Sequence, residues 1–171
     1  LVQPIITQHE ILKALHPHSL NTIRIDTLLY DGKCFNNAAV LKMGVGGMIV
    51  DNLRAGSLVV GIDMKTGRLF PTARQRAISS QEEYERHPDT GVVFPSITVP
   101  FWKDVIDLTC KAAEALPQLR TLGWDVAITP TGPLLIEANI NWGVNVMQDG
   151  WGGMGATRIG QLALELRGSH Y

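Results

Sequence analysis

Apolar and polar positions alternate along Thr22–Tyr30, a run rich in β-branched residues, and the alternation resumes after Asp31-Gly32 in Cys34–Met43. A period of two places successive side chains on opposite faces of a strand, and an Asp-Gly pair between two such runs predicts a tight hairpin. Shorter strands are predicted over Met48–Asn52, Leu58–Met64 and Arg68–Pro71, punctuated by turns at Gly44–Gly47 and Lys65-Thr66-Gly67. The period lengthens around His9–Leu15, a short helical pattern that must stop before Pro17, and again from Lys103 to Leu116, where Pro117 ends the helix. In that second helix Leu108, Ala112, Ala115 and Leu116 form the stripe expected to lie on the sheet, with Lys103, Asp107, Lys111 and Glu114 towards water. The stretch containing Glu82, Glu83, Glu85, Arg86 and Pro88 reads as a polar connection, and Asn141–Gly155 as a Gly/Asn/Trp-rich loop before a last helix over Ala156–Leu166. Together these elements predict one α+β domain over residues 1–171, with helices packed on a mainly antiparallel sheet.

One further pair of strands carries chemistry. Trp124–Ile128, a Pro/Gly turn from Pro130 to Pro133, and Leu134–Asn139 read as a hairpin bearing three oxygen donors, Asp125, Glu137 and Asn139. Mg²⁺ prefers one or two carboxylates, with phosphate and water oxygens completing its shell, so this donor set suits a metal-nucleotide better than a bare ion. Glu137 and Asn139, two apart, share a face. A four-residue loop over 130–133 would put Asp125 on the other one. A three- or five-residue connection, or a bulge centred on Gly132, is therefore predicted, setting Asp125 across from Glu137. Trp124, Val126, Ile128, Leu134 and Ile136 would then pack on the opposite side. A plain surface hairpin with solvated acids fits the same local sequence.

Composition narrows the setting. With 45% apolar residues the chain can bury an ordinary core, and a net charge of −1 gives no electrostatic case for nucleic acid or an anionic membrane. No apolar run is long enough to span a bilayer and no leader pattern marks export. Cys34 and Cys110 are read as isolated thiols, for which a reducing cytoplasm is the simplest setting. His9, His16 and His18 lack a second ligand pair at finger-like spacing and are read as surface or loop histidines. Gly44, Gly46 and Gly47 match neither glycine-rich phosphate fingerprint and are read as a hairpin turn.

Four segments in order, Asn21-Thr22-Ile23-Arg24-Ile25, Val50-Asp51-Asn52, Gly123-Trp124-Asp125-Val126-Ala127 and Ile136-Glu137-Ala138-Asn139, resemble the sugar-transfer-associated group of ATP-grasp proteins, relatives of glutamate-ligase-like enzymes. The resemblance runs from about residue 1 to about residue 150 and corresponds to the C-terminal part of an ATP-grasp domain. It implies that the lobe gripping the adenine is missing and that the chain is a fragment, inactive by itself. It also implies ATP and Mg²⁺, with Mn²⁺ as a substitute, as cofactors, and ATP-dependent joining of a small carboxylate to an amine or other nucleophile through an acyl phosphate.

Residue by residue, the resemblance places Asp125, Glu137 and Asn139 on the metal and Arg24 beside the transferred phosphoryl group, where a guanidinium recognises phosphate in bidentate fashion. Lys42 stands where the family more often has arginine and can still supply a point charge. Asn52 is implied in cofactor binding, orienting substrate or reaching the magnesium through water, with a turn-forming Asp51-Asn52 pair as the structural alternative. Asn21 is expected to orient Arg24, and Asn141 and Trp142 to contact substrate from a loop leaving the scaffold, with Trp142 or Trp151 as a packing anchor. Two other readings stay open: a non-catalytic ATP-grasp remnant that binds a regulatory partner, and a carbohydrate-binding module using Trp142 and Trp151 as a sugar platform.

Overall fold

In the computed structural model, which describes residues 5–49, 56–76 and 81–168, the hairpin predicted around Asp31-Gly32 forms. Strand β1 (Thr22–Tyr30) pairs antiparallel with β2 (Lys33–Met43), and both turn residues take the positive φ that a two-residue turn matching the strand twist requires. On one side of this pair β3 (Leu58–Ile62), β4 (Leu69–Arg76) and β5 (Gln81–Tyr84) follow in antiparallel order. On the other, β6 (Thr121–Thr129) pairs with β1, and β7 (Gly132–Asn139) closes the edge. The seven strands make one sheet, β5-β4-β3-β2-β1-β6-β7.

Two local expectations are corrected here. β5 occupies the stretch read as a polar connection. It is an edge strand whose Glu83 sits opposite Arg74 and pairs with it at 2.9 Å, so cross-strand charge replaces the missing apolar alternation. Met48 and Ile49 follow the Gly46-Gly47 turn outside any strand, Ile49 in a bend, while residues 50–52 of that predicted element, Asp51 and Asn52 among them, lie outside the described residues.

Both faces of the sheet are covered, unequally. Ile23, Ile25, Leu41, Val60, Trp124, Val126 and Ile128 project into the main core, which α1 (Glu10–Lys13) and α2 (Trp102–Glu114) close with Leu12, Trp102 and Val105. The buried stripe of α2 is Trp102, Val105, Thr109 and Ala113, a rotation from the predicted one that leaves Leu108 half-buried and Ala115 exposed. Its cause is Trp102, whose indole donates to the Met64 carbonyl at 3.0 Å and packs on Gly67, where a Cβ would come within 2.6 Å. This anchor sets the helix phase.

On the opposite face Ala38, Val40 and Val59 meet Trp142, Met147 and Met154. Met147 belongs to α3 (Val144–Trp151), a helix inside the segment read as an irregular loop. Its single glycine, Gly150, weakens helix propensity but permits contact: it lies so close to Val40 and Val59 that a Cβ would come within 2.8 Å of each. A 3-10 turn at Met154–Ala156 leads to α4 (Arg158–Gly168).

The two cysteines are corrected as well. Cys34 on β2 and Cys110 on α2 are joined as a disulfide, their Cα atoms 5.6 Å apart, because α2 lies directly on β2 despite a sequence separation of 76. Among the described residues no helix is long and apolar enough to cross a membrane.

The β1–β2 ladder contains one irregularity. Ile25 pairs with Ala39 and Thr27 with Asn36, so Asn37 and Ala38 together face Asp26. The Ala38 N–H freed by this bulge donates to Asp26 Oδ1 at 3.0 Å, while Oδ2 is buried with no partner among the described residues. Burial pushes the Asp26 carboxyl up to about 7, against the opposing pull of the Ala38 and Asn37 hydrogen bonds.

Candidate functional site

Asp125 stands opposite Glu137, as the parity argument required, but the device differs from the one predicted. The turn has two residues, Pro130 and Thr131, and pairs Thr129 with Gly132; the register slips between Asp125–Glu137 and Val126–Leu135, so the extra residue is Ile136. The bulge sits beside the acids, away from Gly132. It also redistributes the apolar residues. Trp124, Val126 and Ile128 are buried as expected, whereas Leu135 packs on the core, and Leu134 and Ile136 remain 44% and 40% exposed.

Register alone assembles the cationic side. β1 lies between β2 and β6, with Arg24 opposite Asp125 on one side and Val40 on the other, so Lys42, two residues beyond Val40, shares their face. Arg24 Nε and Nη2 donate to the two Asp125 oxygens at 2.7 and 2.8 Å, a bidentate pair. Lys42 Nζ lies 3.2 Å from Asp125 Oδ1. The third guanidinium nitrogen, Nη1, donates to the Trp142 carbonyl at 2.8 Å, tying the loop before α3 to the same cluster. Trp142 itself seats against Gly123, where a Cβ would lie 2.1 Å from the Trp142 Cβ.

The Arg24 and Asp125 side chains are only 13% and 9% exposed, so the pair is desolvated and its charges matter. Burial raises the Asp125 carboxyl, but the Arg24 hydrogen bonds and the Lys42 charge outweigh it and hold Asp125 below the usual carboxylate range. Arg24 and Lys42 together present two positive charges around one carboxylate.

Glu137 and Asn139 complete that face. Among the described residues, Glu137 is exposed and joins no hydrogen bond or ion pair, and the Asn139 amide nitrogen is buried with no partner. Two carboxylates and an uncommitted amide on adjacent strands fit a hard divalent cation that keeps several phosphate or water ligands. Among the described residues no three His, Cys, Asp or Glu side chains converge on a metal-sized space, so the amide oxygen is part of any such donor set.

The remaining candidates divide. Asn21 is buried away from Arg24: its amide donates to the Leu12 and His16 carbonyls at 2.9 and 3.1 Å and accepts from Ser19, fastening the segment between α1 and β1. Asn141 is exposed beside the cluster in sequence, and Trp142 is buried with its carbonyl committed to Arg24. Asn52 lies outside the described residues. Trp151 donates its indole N–H to the Ile62 carbonyl at 3.0 Å and stacks obliquely near Phe70, so the two indoles are packing anchors.

His16, read as a surface residue, is buried, stacks on His87 and faces the Gly46 carbonyl at 3.1 Å, while His87 faces the Gly44 carbonyl at 2.9 Å. The histidines grip the glycine turn that follows β2. His9 caps α1 by accepting from the Ile11 N–H at 3.2 Å. Sequence reading missed the Trp142 carbonyl and the threefold engagement of Asp125. The Arg24–Asp125–Lys42 grouping follows from strand order, for which no local signal exists.

A family model described as sugar-transfer associated ATP-grasp matches residues 1–157. A comparison with curated proteins gives no match.

Proposed function

The chain belongs to the sugar-transfer associated ATP-grasp family, and from that premise we propose that it contributes the metal and phosphate side of an ATP-dependent ligase site that activates a small carboxylate as an acyl phosphate for attack by an amine or other nucleophile. The observation that carries this reading is the single sheet face on which Arg24, Lys42, Asp125, Glu137 and Asn139 project from four neighbouring strands. Its chemistry is positional and electrostatic, which is what phosphoryl transfer asks of a protein. Mg²⁺, when bound, neutralises phosphate oxygens as a Lewis acid.

The chain's own residues supply the rest. Glu137, Asn139 and Asp125 are the oxygen donors for the cation. Arg24 offers a planar fork to a phosphoryl group, and Lys42 a compact charge beside it. Leu134 and Ile136, exposed on the strand that bears Glu137, offer apolar surface for a nucleotide base. No side-chain nucleophile is used. Asn141 and Trp142 stand where the loop leaving β7 meets Arg24, the position from which an acceptor would be selected.

Water-proton relaxation in a Mn²⁺ titration with ATP tests the reading. Saturable enhancement with the native chain, reduced at least about tenfold in affinity by Glu137→Gln, is the expected result. A native protein that gives no enhancement with Mn²⁺ and ATP together favours the partner-binding remnant. Enhancement unaffected by Glu137→Gln would move the metal off this hairpin.

A further inference from the structure

The carboxylate best placed to take a cation already holds one. Both Asp125 oxygens accept from the Arg24 guanidinium, at 2.7 and 2.8 Å, and Lys42 Nζ lies 3.2 Å from one of them. A divalent ion reaching Asp125 meets these two positive charges at close quarters in a partly desolvated setting, where like charges repel far more strongly than in water. A phosphate reaching Arg24 meets a guanidinium whose charge Asp125 has neutralised. Each ligand alone is opposed by the partner of the group it needs.

We infer that Arg24 is the resident counter-cation of the metal site, pairing with Asp125 until phosphate draws it away, so that divalent cation and phosphate bind as a coupled pair. The inference rests on the metal and phosphate assignment above. Exchange of partners conserves charge pairing throughout: Arg24 leaves a carboxylate for a phosphate, and Asp125 leaves a guanidinium for a metal ion. Lys42 is the second cation that phosphate relieves from Asp125. The exchange also frees the Trp142 carbonyl, which accepts from Arg24 Nη1 at 2.8 Å, so the segment before α3 is released in the same step. Linkage makes the coupling reciprocal, and it has a signature that a merely structural ion pair lacks.

The experiment compares three conditions on this chain: Mn²⁺ alone, inorganic tripolyphosphate alone, and both together, with binding read by water-proton relaxation and by calorimetry. The native protein is expected to bind the pair and to bind either component weakly. Arg24→Gln should tighten bare Mn²⁺ at least about tenfold while losing tripolyphosphate, and Asp125→Asn should tighten metal-free tripolyphosphate at least about tenfold while losing Mn²⁺, as expected when a charged hydrogen-bond partner is withdrawn. Lys42→Met leaves the bidentate pair in place and should tighten bare Mn²⁺ by a smaller factor. It keeps the question answerable if Arg24→Gln fails to fold. Bare Mn²⁺ affinity that is unchanged or weaker in the foldable Arg24 and Lys42 variants, with the native protein still binding the pair, overturns the coupling alone. Absence of binding to the pair by the native protein overturns the underlying assignment and the coupling with it.

Discussion

Asp26→Asn should change how stability depends on pH, and in a direction opposite to most carboxylate substitutions. Asp26 is fully buried in the β1–β2 bulge with a single hydrogen-bonded oxygen, and burial raises its carboxyl from 3.8 to about 7. A carboxyl whose native pKa lies above its unfolded value adds no penalty at pH below 3.8. Stability then falls as pH rises, because the unfolded chain ionises while the native one holds its proton, and the loss levels off above pH 7. At 1.36 kcal/mol per unit the full penalty is about 4 kcal/mol, of which more than half develops between pH 5 and pH 8. Asparagine keeps the oxygen that accepts from Ala38 and cannot ionise, so that slope disappears. His87, whose imidazole burial holds below the usual range, contributes an opposite slope, a loss on acidification, but it is common to both proteins and cancels in their difference. Urea unfolding at pH 5 and pH 8, with equal m-values in the two proteins, gives the double difference directly. Parallel pH profiles for native and Asp26→Asn proteins would refute the buried-carboxyl argument.

Further expectations concern other parts of the molecule. Asp125 has the reverse linkage: its lowered pKa contributes stability that is fully present above the unfolded value and lost as pH falls below that value and through the lowered native one, so Asp125→Asn should flatten the acid limb of a thermal-melt profile below about pH 4. Gly123→Ala drives a Cβ into Trp142 and should cost about 1–3 kcal/mol, readable as a lower urea midpoint with Trp142 displaced from Arg24. Reduction of the Cys34–Cys110 bond should lower stability by roughly 2–4 kcal/mol, and alkylation before and after reductant should reveal two thiols only after it; thiols that react without reductant would contradict the pairing. Trp124→Phe removes the buried indole hydrogen bond to Thr27, 2.9 Å long, and should cost about 1 kcal/mol beyond the lost packing, measured against a Thr27→Val cycle.

What the sequence determined by itself is local and periodic. Alternation placed Thr22–Tyr30 with its ends correct, Asp31-Gly32 announced its turn, and the common face of Glu137 and Asn139 demanded an irregularity in the last hairpin. The family was legible too, since its motifs are short runs of consecutive residues. Signals failed where neighbours from distant sequence decide the outcome. The Ile136 bulge, the phase of α2 set by the Trp102 anchor, and the helix at Val144–Trp151 answer to packing partners that lie up to about a hundred residues away. Most consequentially, the resemblance assigned Arg24, Lys42 and Asp125 to one site, but no local pattern reveals that Arg24 and Asp125 pair directly, 101 residues apart, or that Lys42 joins the pair. Residue type fixes what each of these groups can bond; strand order fixes which of them are desolvated together, and charge pairing in a buried place is a property of that arrangement.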